Sequence, residues 1–98
     1  MTITMKQNGT TLEVTLEGRL DGVTAPDLEE ALKDKLDDIE ELILDFSNVE
    51  YISSAGLRVL LSFHKTMYGK GKMKVIHANE IVQEVFEVTG FDSVLDIE

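Results

Sequence analysis

The sequence predicts an α/β domain built on a mixed β-sheet: an N-terminal antiparallel hairpin, then parallel β-α-β crossovers, with α-helices packed on the sheet. Three observations predict it. Apolar and polar residues alternate on either side of Asn8-Gly9; three later segments carry apolar residues at helical spacing; and short apolar runs at 42–46 and 73–76 stand between those segments. The resulting order, ββαβαβαβ, is that of a hairpin extended by right-handed crossovers. At 98 residues with 43% hydrophobic content, the chain has room for one domain, residues 1–98, around a single core.

In chain order, Ile3 and Met5 alternate with Thr2, Thr4 and Lys6, and Leu12, Val14 and Leu16 with Thr11, Glu13, Thr15 and Glu17. That is a hairpin with one wet face, turning at Asn8-Gly9. Gly18 ends it, and Thr24, Pro26, Asp27 and Glu29 mark the start of a helix whose Leu28, Ala31, Leu32 and Leu36 recur on one side. Residues 42–46, Leu-Ile-Leu-Asp-Phe, lack clean alternation and so predict a central strand covered on both faces, followed by a Ser47-Asn48 turn. A helix from about Ser54 to Tyr68 ends at Gly69. Met73, Val75 and Ile76 make the next strand; Asn79 caps a helix with Ile81, Val82, Val85 and Phe86 inward; Gly90 closes it, and residues 94–97 form a last short strand.

Composition narrows the function classes. A formal charge of −10 opposes binding to nucleic acid, which requires clustered Lys and Arg. Zero cysteines exclude disulfides and thiolate metal sites, and His64 and His77 lack metal-ligand spacing. No apolar run reaches the roughly 20 residues of a membrane span, and residues 1–6 lack the order of a signal peptide, so a soluble cytoplasmic protein with no membrane partner is expected. Residues 58–74 hold Arg58, Lys65, Lys70, Lys72 and Lys74 with no acid, whereas residues 27–41 carry eight acids and two lysines. Both read most simply as solvated surface.

The strand-to-helix turn at Ser53-Ser54 is the place for chemistry, because a helix N-terminus exposes free N–H donors and positive dipole. A serine nucleophile would need a base within about 3 Å. His64, ten residues along the helix, is about 15 Å away, and there is no Gly-x-Ser-x-Gly elbow. Gly69-Lys70-Gly71-Lys72 lacks the spacing of a Walker loop and follows a helix, so it reads as a turn. Ser53 reads as a helix cap. Gly56 inside the first turn is unfavourable by up to about 1 kcal/mol, and the small surface at Ala55-Gly56 suggests that Ser54 is offered to another protein. The apolar positions of this helix sweep about 200°, wider than sheet packing needs. Val59 and Phe63, at the edge of that arc, are candidates for a partner's docking face, although a deeply embedded helix accounts for the same width.

Residues 45–57, Asp-Phe-Ser-Asn-Val-Glu-Tyr-Ile-Ser-Ser-Ala-Gly-Leu, resemble the signature of the STAS domain in the branch of bacterial anti-sigma-factor antagonists. Residues 18–21, Gly-Arg-Leu-Asp, resemble that family's Gly-Glu-Leu-Asp, and residues 86–91, Phe-Glu-Val-Thr-Gly-Phe, resemble its Leu-Phe-x-x-Ser/Thr-Gly-Leu/Phe helix end. The resemblance implies a monomeric, non-enzymatic switch with a STAS fold and no cofactor of its own. Its unphosphorylated form would bind an anti-sigma factor with serine kinase activity and free the sigma factor; phosphorylation of Ser54 would end that binding, and a serine phosphatase would reverse it. Asp21 falls on the loop beside the serine. The expected contact residues are thus Asp21, Ser53, Ser54, Ala55, Gly56, Leu57, Val59 and Phe63. The family pattern has Asp where this chain has Ser53, which keeps the phosphoacceptor, removes a negative charge and adds a second hydroxyl. The other implied reading is a STAS subunit of a transporter or signalling assembly that is never phosphorylated.

Overall fold

In the computed structural model, which describes all 98 residues, strand β1 (Thr2–Asn8) turns back as β2 (Thr11–Leu20), and helix α1 (Ala25–Leu32) leads through a short 3-10 turn at Leu36–Asp38 to β3 (Glu41–Ile52). Helix α2 (Ser54–Met67), β4 (Lys72–Ile76), helix α3 (Glu80–Thr89) and the two-residue β5 (Asp96–Ile97) follow. The five strands lie in sequence order, β1 antiparallel to β2 and all later neighbours parallel. This is the predicted hairpin-plus-crossover architecture.

That strand order has a consequence for layering. When each crossover has the same hand and steps the same way along the sheet, every helix falls on the same face. Burial agrees: Leu42, Leu44 and Phe46 of β3 are fully buried, whereas the intervening Ile43 and Asp45 are only half-buried. The expectation of a central strand covered on both faces is therefore corrected to a one-sided sheet. Its open face carries polar neighbours such as Lys74, whose ammonium lies 3.8 Å from the Glu41 carboxylate.

Strand β3 also runs further than the sequence pattern suggested. Ser47 and Asn48 lie within it rather than in a turn, because two irregularities in its pairing with β2 each insert an extra residue on β3: Thr15 pairs with Asp45 but Glu17 with Asn48, and Gly18 pairs with Val49 but Arg19 with Tyr51. Beyond Phe46, residues 49 and 52 therefore keep an inward side chain every third position instead of every second. The bulges carry the strand on to the serine turn.

Twenty-five apolar side chains form one core with no polar residue buried in it. Phe46 of β3 meets Phe86 of α3 with ring centroids 6.3 Å apart. Helix α2 is embedded between the sheet and α1, and this corrects two site expectations: Val59 is 7% and Phe63 2% exposed, so that edge of the apolar arc belongs to the core. Leu57 is buried with them. In α3, Asn79 accepts the Val82 N–H at 2.8 Å and Gly90 takes the left-handed conformation, as expected, but Ile81 is 57% exposed and Val85 half-buried, leaving Val82 and Phe86 as the inward pair.

Candidate functional site

The site lies where the parallel strands end and α2 begins. Ser53, the last residue before α2, has extended backbone, and its hydroxyl accepts the Gly56 N–H at a long 3.4 Å. Its own N–H donates to the Leu20 carbonyl at 2.9 Å, which ties the turn to the end of β2. With the cap supplied by Ser53, the hydroxyl of Ser54, first residue of the helix, stands exposed. It sits where free N–H groups and the positive end of the helix dipole favour negative charge.

Gly56 has a different role from the one expected of it. It is buried, and a Cβ there would come within 2.8 Å of side-chain atoms of Leu20 and Ile52 and within 2.9 Å of the Leu20 carbonyl oxygen. The close backbone approach is by the chain's own β2, so Gly56 lets α2 seat on the strand ends rather than meeting a partner. Ala55, beside it, is half-buried. Of the expected contact set, Asp21, Ser53, Ser54 and Ala55 thus reach the surface, while Gly56, Leu57, Val59 and Phe63 lie beneath it.

Asp21 follows Leu20 directly and so lies on the loop beside the serine turn. One oxygen of its carboxylate accepts the N–H groups of Val23 at 3.0 Å and Thr24 at 3.2 Å, while the Thr24 hydroxyl accepts the Asp21 N–H at 2.9 Å. This reciprocal exchange has the form of a capping box but lies in the loop ahead of α1, whose N-cap position is Thr24, as expected. Donation from the Thr24 and then the Val23 N–H holds the Asp21 carboxyl below its usual range, with a smaller contribution from Arg19. The Arg19 guanidinium is 3.8 Å from that carboxylate and lies over the Tyr51 ring, 5.0 Å from its centroid.

Two surface residues were missed in the sequence. Val23 is 81% exposed on the β2–α1 loop, and Tyr51 is 36% exposed just before the serines. An apolar residue directly after Asp-Gly and outside any periodic segment was the available signal for Val23. Between α1 and α2, beside the serine turn, runs an open groove of about 320 Å³ bordered by Gly22, Pro26, Glu29, Ala55 and Arg58.

No hydrolytic constellation assembles around the serines. His64 packs against Tyr68 toward the far end of α2, with ring centroids 6.0 Å apart. His77 faces Asp45, Nδ1 to Oδ1 at 3.4 Å. Burial pushes the Asp45 carboxyl up, but hydrogen bonds from Ser47 and His77 outweigh it and hold the group below its usual value. No three His, Asp or Glu side chains converge as metal ligands, and no helix is long and apolar enough to cross a membrane. The Gly69-Lys70-Gly71-Lys72 segment is a turn: the Lys72 N–H donates to the Glu40 carbonyl at 2.8 Å, and a Cβ on Gly71 would collide with that same oxygen.

Comparisons with known proteins identify the family. The family model of the STAS domain matches residues 2–98. BtrV of Bordetella bronchiseptica, named as an anti-sigma factor antagonist, is 34% identical over 99% of this chain and 85% of its own length. The anti-sigma-B factor antagonist of Bacillus subtilis is 28% identical over 97% of this chain and 88% of its own. Among solved structures, an anti-sigma factor antagonist from Mycobacterium paratuberculosis superposes with a TM-score of 0.89 at 26% identity, over 98% of this chain and 83% of that one. SpoIIAA in its unphosphorylated form, at 15% identity and a TM-score of 0.86 over 99% of this chain and 88% of its own, shares the fold. The chain belongs to the STAS domain family, and these relatives, alike over nearly its whole length, are named as anti-sigma factor antagonists.

Proposed function

We propose that this protein is an anti-sigma factor antagonist whose unphosphorylated form binds an anti-sigma factor with serine kinase activity, and that phosphorylation of Ser54 ends the binding. The observation that carries the reading is the division of labour in the serine pair: Ser53 caps α2, and Ser54 stands exposed at its first residue. A hydroxyl relieved of structural duty can be modified without unfolding the turn.

In the modification, the Ser54 Oγ attacks the γ-phosphorus of ATP held by the kinase, loses its proton and releases ADP. A serine phosphatase delivers water to the same phosphorus and returns the hydroxyl and inorganic phosphate. The ATP and its metal belong to the kinase. The phosphate adds about −1.5 to −2 charge at neutral pH. On the free protein the helix N-terminus tolerates it. In a desolvated interface the same dianion is costly, and a loss of a few kcal/mol releases a micromolar complex. The docking surface in this reading is the rim formed by Asp21, Val23, Tyr51, Ser53, Ser54 and Ala55, with Asp21 a repulsive neighbour for the phosphate. Gly56, Leu57, Val59 and Phe63 support that rim from below. The switch acts as a monomer in the cytoplasm.

Incubation with ATP and the cognate anti-sigma factor, followed by mass spectrometry, tests the reading. One phosphate on Ser54 is expected, absent from Ser54→Ala. A chain that binds its anti-sigma factor but never acquires phosphate there would instead be a standing subunit of an assembly.

A further inference from the structure

We propose that Arg58 is the intramolecular partner of a phosphate on Ser54, so that the modified chain holds its own phosphate against α2. The inference rests on the phosphorylation of Ser54 proposed above and adds a residue that determines the state of the modified form.

Ser54 is the first residue of α2 and Arg58 lies four residues on. Residues four apart lie one above the other on a helix, with Cβ atoms about 5–6 Å apart. Helical side chains lean toward the N-terminus, so Arg58 covers the turn that Ser54 begins. An acid at the N-terminal member and a base at the C-terminal member is also the favourable orientation of such a pair.

Arg58 is free for the task. It is exposed and takes part in none of the molecule's ion pairs. The first turn of α2 contains no acid that would draw it away. Two carboxylates face this region from packed elements. Glu29 of α1 borders the same groove as Arg58 without pairing with it. Asp21 of the β2–α1 loop is already engaged by the Val23 and Thr24 N–H groups and by Arg19. A phosphate dianion on Ser54 is a stronger acceptor than either, and a guanidinium can meet two of its oxygens at once, which an ammonium cannot.

Phosphorylation therefore changes two features of the rim: it adds a dianion and draws the one basic side chain out of the α1–α2 groove. The full chain carrying genetically encoded phosphoserine at position 54 tests this, with Arg58 intact, as Arg58→Ala and as Arg58→Lys. Phosphorus NMR reads the second ionisation of the phosphate. It is expected roughly half a pH unit lower with Arg58 than with Ala, with Lys between, and the difference should shrink in about 1 M salt. Coincident titrations of the Arg58 and Ala forms would overturn the proposal. The titration needs no partner, so it stands apart from the switch: binding of the phosphorylated chain to its anti-sigma factor with undiminished affinity would strike the switch alone.

Discussion

The two ends of α2 both rely on a glycine pressed against the chain's own backbone, yet only one end leaves a reactive group exposed. At the N-terminal end, Gly56 seats the helix on Leu20 and Ile52, and Ser53 takes the capping bond. At the C-terminal end, Gly71 lets the Lys72 N–H reach the Glu40 carbonyl, and what remains outside is Tyr68 beside a hollow of about 270 Å³. Similar packing thus produces a site at one end and a turn at the other. The difference is the hydroxyl of Ser54, placed on the positive end of the helix.

Substitutions can break this comparison in order of size. Gly71→Ala forces a backbone oxygen to move, and Gly56→Ala presses a Cβ against Leu20 and Ile52. Overpacking of this kind destabilises by about 1–3 kcal/mol. At Gly56 the intrinsic helix preference of alanine returns up to about 1 kcal/mol, so Gly71→Ala should cost more, by urea denaturation. If Gly56→Ala instead raised stability, the close approach of β2 would be wrong.

Asp21→Ala comes next and carries a pH signature. The folded carboxyl lies below its unfolded value, so the charged form stabilises the fold. That stabilisation is present above the unfolded value and is lost as pH falls through the folded one. Thermal midpoints of wild type and Asp21→Ala should therefore differ at about pH 6 and converge below about pH 4. A gap independent of pH would assign the loss to the Asp21 side chain's packing instead of its charge.

Ser53→Ala is the smallest of these effects. A lost serine cap costs about 0.5–2 kcal/mol, and the 3.4 Å bond points to the lower end. Ser54→Ala, which removes no cap, should leave the urea midpoint unchanged; equal losses in the two variants would dissolve the division of labour between the serines.

Much of this was legible in the sequence. The hairpin, the order of strands and helices, and the caps at Ser53, Asn79 and Gly90 all follow from local chemistry, and the structure has them. What escaped was set by distant residues. The bulges in β3 depend on its pairing with β2, so Ser47-Asn48 looked like a turn. The one-sided sheet depends on strand order, which no window of Leu42–Phe46 reveals. Gly56 announced a close approach, but only the fold says whose backbone approaches. Val59 and Phe63 widened an arc that α1 covers. Thr24 holds the N-cap position as expected, but its hydroxyl bonds back into the loop, to the Asp21 N–H and the Arg19 carbonyl, rather than to a helix N–H.

In the proposed switch, charge on Ser54 controls docking. Calorimetric titration of the unphosphorylated wild type, Ser54→Ala and Ser54→Asp into the cognate anti-sigma factor measures it directly. Ser54→Ala is expected to bind like wild type and Ser54→Asp at least about tenfold more weakly, a difference of about 1.4 kcal/mol. Equal affinities of Ser54→Ala and Ser54→Asp would contradict it.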